Sequence, residues 1–174
     1  MFASFLTGFL LALSLIVAIG SQNAFVLRQG ILRQHIFYIA LFCAISDSLL
    51  IIVGILGISH FLNNFINEFS KIIFGCSALW LFSYGVLRIR SALRKKSIII
   101  NSSKGSRGLL DTMSILAAFT FANPHVYLDT IILIGSISQQ YIAIYKIFFA
   151  IGACSASFVW FFSLAYGAKL ITPI

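Results

Sequence analysis

Apolar residues in this chain run in long blocks rather than at the period of an amphipathic helix or a half-buried strand. Five blocks stand out, residues 2–27, 36–58, 72–87, 109–137 and 147–168, separated by polar connections at 28–35, 59–71, 88–108 and 138–146. A hydrocarbon core of about 30 Å takes roughly 20 helical residues, so each block is a candidate membrane span. Lipid offers no partner for backbone N–H and C=O groups, which leaves helices as the form these blocks can take. The pattern therefore predicts an all-α integral membrane protein with five visible transmembrane helices.

Two blocks are interrupted at corresponding places. The first contains Gly20-Ser21-Gln22-Asn23 and the fourth contains Asn123-Pro124-His125. Pro124 has no N–H, and its ring clashes with the carbonyl four residues earlier, so a helix arriving from Leu109 is expected to stop there. Asn123 then serves as N-cap of a new half-helix and Pro124 as its first residue. His125 and Asp129 fall four apart on one face of it. Broken apolar segments matched in two halves indicate a transporter of inverted repeats with its site where the breaks meet. The expected division is one membrane transport domain over 1–174, with a first repeat at about 1–90, a basic loop at 88–108 and a second repeat at about 109–174. On this pattern the second repeat lacks a sixth helix, and its uncovered surface is expected to lower abundance or to be hidden in a homo-oligomer.

Composition agrees with a membrane class: 60% of residues are hydrophobic, 9% are charged, and the mean hydropathy is +1.04. The net charge of +8 would suit nucleic acid, but the basic residues sit between apolar blocks, where the positive-inside tendency accounts for them. No nucleic-acid partner is expected. The connection at 88–108 carries Arg88, Arg90, Arg94, Lys95, Lys96, Lys104 and Arg107. This places it in the cytoplasm and, by alternation, the N-terminus outside and the C-terminus inside. Residues 1–19 have no basic leader or clear cleavage site, so the first span is expected to be retained. Cys43, Cys76 and Cys154 lie singly in three blocks without metal-ligand spacing, and they read as small apolar side chains.

Candidate chemistry is confined to a few polar residues inside the blocks. Glu68 and Asp111 lie at span ends, whereas Asp47 and Asp129 do not. A carboxylate at a span centre costs about 2.5–3.5 kcal/mol on insertion scales, and no basic residue lies within the spans to pair with Asp47. Two bland alternatives stand beside a functional role: Asp47 simply protonated, or satisfied by Ser46, Ser48 and backbone groups, and Asp129 paired only with His125. Gln22 and Asn23 either line the site or merely satisfy backbone groups freed by the break. His35 and His60 read as interfacial. No Ser/His or metal-ligand constellation points to an enzyme, a metal or a cofactor. Two acids beside a positive helix end suit a zwitterion with an additional cation, its carboxylate at the helix terminus and its cationic end near an acid.

The segments Ile19-Gly20-Ser21-Gln22-Asn23-Ala24-Phe25-Val26, Cys43-Ala44-Ile45-Ser46-Asp47 and Asn123-Pro124-His125-Val126-Tyr127-Leu128-Asp129-Thr130 closely resemble the LysE/ArgO family of basic amino-acid exporters, its arginine exporter branch most of all. The likeness extends to about residue 168 and includes Ala156-Ser157-Phe158-Val159-Trp160-Phe161-Phe162. It implies export of L-arginine, L-lysine or close analogues across the bacterial cytoplasmic membrane. For such an exporter, Asp47, Asp129, Asn123, Pro124, His125, Tyr127, Gln22 and Asn23 are the residues expected in substrate binding or proton coupling. Where the family has Gly-Pro-Gln-Asn this chain has Ser21, so its first break rests on Gly20 and on side chains competing for backbone bonds, and a softer kink is expected. The family also continues into a further apolar segment. The alternative is accordingly a truncated, non-transporting remnant of such an exporter.

Overall fold

In the computed structural model the described residues are 1–18, 20–58, 79, 82, 86 and 108–171. They are helical apart from short turns: α1 (Phe2–Ile16), α2 (Ser21–Ile31), α3 (Ile36–Val53), α4 (Leu109–Phe121), α5 (Pro124–Tyr127), α6 (Gly135–Ser138) and α7 (Ile144–Ile171). Two π-helical stretches, Gly54–Ile58 after α3 and Leu128–Ile134 between α5 and α6, continue these helices. The chain divides into two compact units, residues 1–60 with 108–174 and residues 61–107. In the second unit Leu79, Phe82 and Val86 are helical, with Leu79 and Phe82 exposed. The rest of the expected third span and nearly all of the basic connection lie outside the described residues.

Ile36–Leu56 and Ile144–Lys169 are each long and apolar enough to cross a membrane alone. The two expected interruptions are present as bends. Phe2–Ile16 meets Ser21–Ile31 at 82°, and Leu109–Phe121 meets His125–Ser138 at 61°. The first bend is therefore the sharper one, contrary to the softer kink expected without proline. The Asn23 side chain spans this bend, bonded to two carbonyls at the end of α1.

In the first unit α7 is the common support, with α1, α2 and α3 packed along it. Small residues permit this. A Cβ placed on Gly8 would run into the main chain of Phe149, and one on Gly152 into that of Phe5, so α1 and α7 touch backbone to backbone. Close approach of this kind is how helices gain packing energy in lipid, where burial of apolar surface supplies little. One core cluster joins Phe25 and Val26 of α2 to Ile39, Ala40, Cys43 and Ala44 of α3 and to Phe161 and Ala165 of α7. The other gathers Ala12, Ile51, Ile134, Phe149, Ala153 and Ala156.

α3 is apolar on both faces, and its buried face also carries polar residues. Ile45, Leu49, Ile52 and Leu56, at spacings of four, three and four, point outward, while Ser46 and Asp47 are buried. Outward apolar residues meet lipid at no cost, and the ionisable group faces the bundle, as expected of an intramembrane carboxylate.

Candidate functional site

The first break is held by one side chain. α1 ends at Ile16, and a helix end leaves carbonyls without intrahelical partners. Asn23, in the first turn of α2, supplies donors for them: its Nδ2 donates to the Ile16 carbonyl at 2.7 Å and to the Ala18 carbonyl at 2.8 Å. Its Oδ1 accepts from the Trp160 indole Nε1 on α7 at 3.4 Å. Each polar group of Asn23 is thus engaged, and the backbone-satisfying alternative describes what it does in this conformation.

Gln22 behaves differently. It is buried, and its side chain lies against both Cys43 and Asp47 of α3. Yet Gln22 Nε2 and Asp47 Oδ1 make no hydrogen bond among the described residues, and neither does Ser48 Oγ. Asp47 is only 4% exposed. Satisfaction by its serine neighbour Ser48 is therefore not what the geometry shows. Neither is a salt bridge, since the ion pair among the described residues lies elsewhere.

That pair belongs to the second break. α4 stops at Phe121, Ala122 donates to the Ala118 carbonyl, and α5 starts at Pro124. Asn123 Oδ1 accepts from the His125 backbone N–H at 3.2 Å, the N-cap geometry expected, and Val126 N–H donates to the Asn123 carbonyl at 3.3 Å. The cap consequently takes up donors that a carboxylate arriving at this terminus would use. Tyr127 closes the bend from the other side, its hydroxyl donating to the Phe121 carbonyl at 2.7 Å. His125 Nε2 stands 3.3 Å from Asp129 Oδ2, with the histidine exposed and the carboxylate half-buried.

The candidate residues thus form two groups. Gln22 meets Asp47 between α2 and α3, with Asn23 beside Gln22 in the chain but turned to the end of α1 and to Trp160, while Asn123, His125, Tyr127 and Asp129 surround the second break. The Phe25–Phe119 contact, with centroids 5.7 Å apart, joins the flanks of the two breaks, and Phe42–Phe121, at 6.3 Å, ties α3 to the second. Among the described residues no hydrogen bond or ion pair joins the groups. Trp160, Ser48 and Ser157 border the first group, and sequence reasoning did not assign them to a site. An indole N–H and hydroxyls inside apolar spans were the available signals. No group of three or more His, Cys, Asp or Glu able to hold a metal occurs among the described residues.

Residues 13–174 match the family model described as LysE type translocator. The chain is 41% identical over 173 residues to the arginine exporter protein ArgO of Yersinia enterocolitica, covering 99% of this chain and 84% of that one. It is 38% identical over 175 residues to the arginine exporter protein ArgO of Pectobacterium carotovorum, and 38% over 173 residues to the putative amino-acid transporter YggA of Aeromonas salmonicida, with the same coverage. No solved structure matches it. With its apolar, membrane-length helices, the chain belongs to the LysE type translocator family, as a multi-pass protein of the bacterial inner membrane.

Proposed function

We propose that this chain exports basic amino acids, L-arginine foremost and L-lysine with it, by alternating access coupled to inward proton movement. The observation that carries the reading is Asp47: a buried carboxyl near the centre of α3, faced by Gln22, with an oxygen that makes no hydrogen bond among the described residues. Such a group is costly in a span unless it takes a proton or a cation in the working cycle. The relatives named as arginine exporters support a cationic amino acid as the ligand.

In the cycle, the Asp47 carboxyl gives its proton to the cytoplasm as the cationic end of the substrate takes its place. On the outer side a proton displaces the substrate. One positive charge moves outward and one inward, which cancels an electrical cost of about 2.3 kcal/mol per 100 mV for the amino acid alone. Asp129, paired with His125, is the second group able to carry a proton, and the Asn123-Pro124 terminus receives the substrate carboxylate by displacing the Asn123 cap. Asn23 keeps the first break bent, and Gln22 lines the site.

The test is efflux of labelled arginine from preloaded cells that lack their own exporter. Cells expressing the chain should lose arginine faster than vector controls, and an imposed inward proton gradient should speed the loss. Efflux no faster than the control contradicts export, and gradient-independent efflux contradicts the coupling.

A further inference from the structure

Most hydroxyls within these helices are spoken for by their own backbone. Thr7, Ser14, Ser114, Thr120, Thr130 and Ser155 each donate to a carbonyl three or four residues earlier, at 2.7 to 2.9 Å or, for Thr120, 3.0 Å. This is the ordinary solution for a serine or threonine in a membrane helix. Ser48 and Ser157 do not adopt it. Both Oγ atoms are buried and make no hydrogen bond among the described residues, and Ser157 is wholly inaccessible.

Their places in the bundle coincide with the Asp47 group. α7 touches α3 where Cys154 Sγ lies 4.0 Å from the Ser48 carbonyl, and touches α2 where the Trp160 indole reaches Asn23. Ser157 is three residues from each of these contacts, so it shares their side of α7 and sits between them. Ser48 is next to Asp47 and Asn23 is next to Gln22 in the chain. The core contacts run the same way, Cys43 and Ala44 packing with Phe161 and Ile51 with Ala153 and Ala156, so three helices carry buried polar atoms without a hydrogen bond along this stretch of the bundle: Gln22 Nε2 from α2, Asp47 Oδ1 and Ser48 Oγ from α3, and Ser157 Oγ from α7.

We infer that Ser48 and Ser157 complete a subsite for a guanidinium group and set the preference for arginine over lysine. The inference rests on the proposed export function and on Asp47 as its anionic anchor. A guanidinium presents five N–H donors in a plane, of which a single carboxylate takes two. The remaining donors need acceptors, and the two serine oxygens are uncommitted acceptors beside that carboxylate. An ammonium has three donors on a compact centre and is satisfied by the carboxylate and one neighbour. With Gln22, Asp47 and Ser157 all more than nine-tenths buried, entry requires α7 and the pair α2 and α3 to separate. The serine on α7 then closes the site as that helix returns.

The experiment measures binding of labelled L-arginine to the purified full chain in detergent, with L-lysine and the uncharged isostere L-citrulline as competitors. Ser157→Ala, Ser48→Ala, Ser155→Ala and Asp47→Asn are compared with the wild type, and size-exclusion profiles establish that each is folded. Losing a hydrogen bond to a charged group corresponds to about a tenfold change in affinity. Ser157→Ala should weaken arginine by about tenfold and lysine by less than about threefold, so the preference collapses, while Ser155→Ala, whose hydroxyl is bonded to its own helix, changes neither. If Ser157→Ala does not accumulate, Ser48→Ala reports on the same subsite. Unchanged arginine affinity and preference in the serine variants, or equal loss of both amino acids, overturns the inference. If Asp47→Asn abolishes binding while the serine variants are neutral, the subsite fails and the export reading stands. Normal binding by Asp47→Asn refutes the carboxylate anchor, and absence of arginine binding by the wild type refutes both.

Discussion

Replacing Asn23 with alanine should undo the first break at a cost that can be worked from its bonds. The Ile16 carbonyl loses the side-chain donor that satisfies the end of α1, and leaving this part-buried acceptor bare costs at most about 1–3 kcal/mol. The Ala18 carbonyl is affected less, because the Gly20 N–H still donates to it at 2.9 Å, and this loss is worth about 0.5–1.5 kcal/mol. The Trp160 contact is long at 3.4 Å and adds little. The sum is at most about 1.5–4.5 kcal/mol, a substantial share of the roughly 5–15 kcal/mol that holds an ordinary domain together. Asn23→Asp should fare no better, since it keeps the acceptor for Trp160 but turns oxygens toward two carbonyls. Trp160→Phe should cost under about 1 kcal/mol in its polar part. The assay is reversible unfolding of the purified chain in mixed micelles by increasing SDS, followed by circular dichroism. Asn23→Ala or Asn23→Asp unfolding at the wild-type midpoint would refute the claim that this amide holds the bend.

Gly8→Val should give little folded protein by size-exclusion yield, because its side chain would occupy the main chain of Phe149, whereas Gly20→Ala, with nothing within 4 Å of the added Cβ, should accumulate normally. Asn123→Ala should lower stability by about 0.5–2 kcal/mol in the same SDS titration, and Asn123→Asp, which retains the capping oxygen, should restore most of it. Agmatine, which has no carboxylate, should compete poorly with arginine for efflux. Equal competition would remove the Asn123-Pro124 terminus from the site.

The second break was legible because its cause is local: Pro124 cannot donate, and Asn123 before it caps the half-helix that begins there. That Asp47 needs a partner was legible for the same kind of reason, since a carboxyl within an apolar block is costly wherever it lies. The sharpness of the first break was not, because it depends on an asparagine reaching back to carbonyls five and seven residues earlier and held in turn by Trp160, 137 residues away. Hydrophobic pattern carries no record of such a contact. The π-helical register at Leu128–Ile134 was also hidden, as one extra residue per turn leaves an all-apolar run looking unchanged. Ser157 reads in sequence like any span serine, since only the packing of α7 leaves its buried hydroxyl without a hydrogen bond among the described residues.

Counterflow in proteoliposomes tests the role of Asp47 most directly. Vesicles holding the purified chain and loaded with unlabelled arginine should accumulate external labelled arginine, and Asp47→Asn, inserted to the same level and equally folded, should abolish that exchange. Exchange by Asp47→Asn at the wild-type rate would contradict the account, for it would show that the substrate crosses without the one buried carboxyl at the centre of α3.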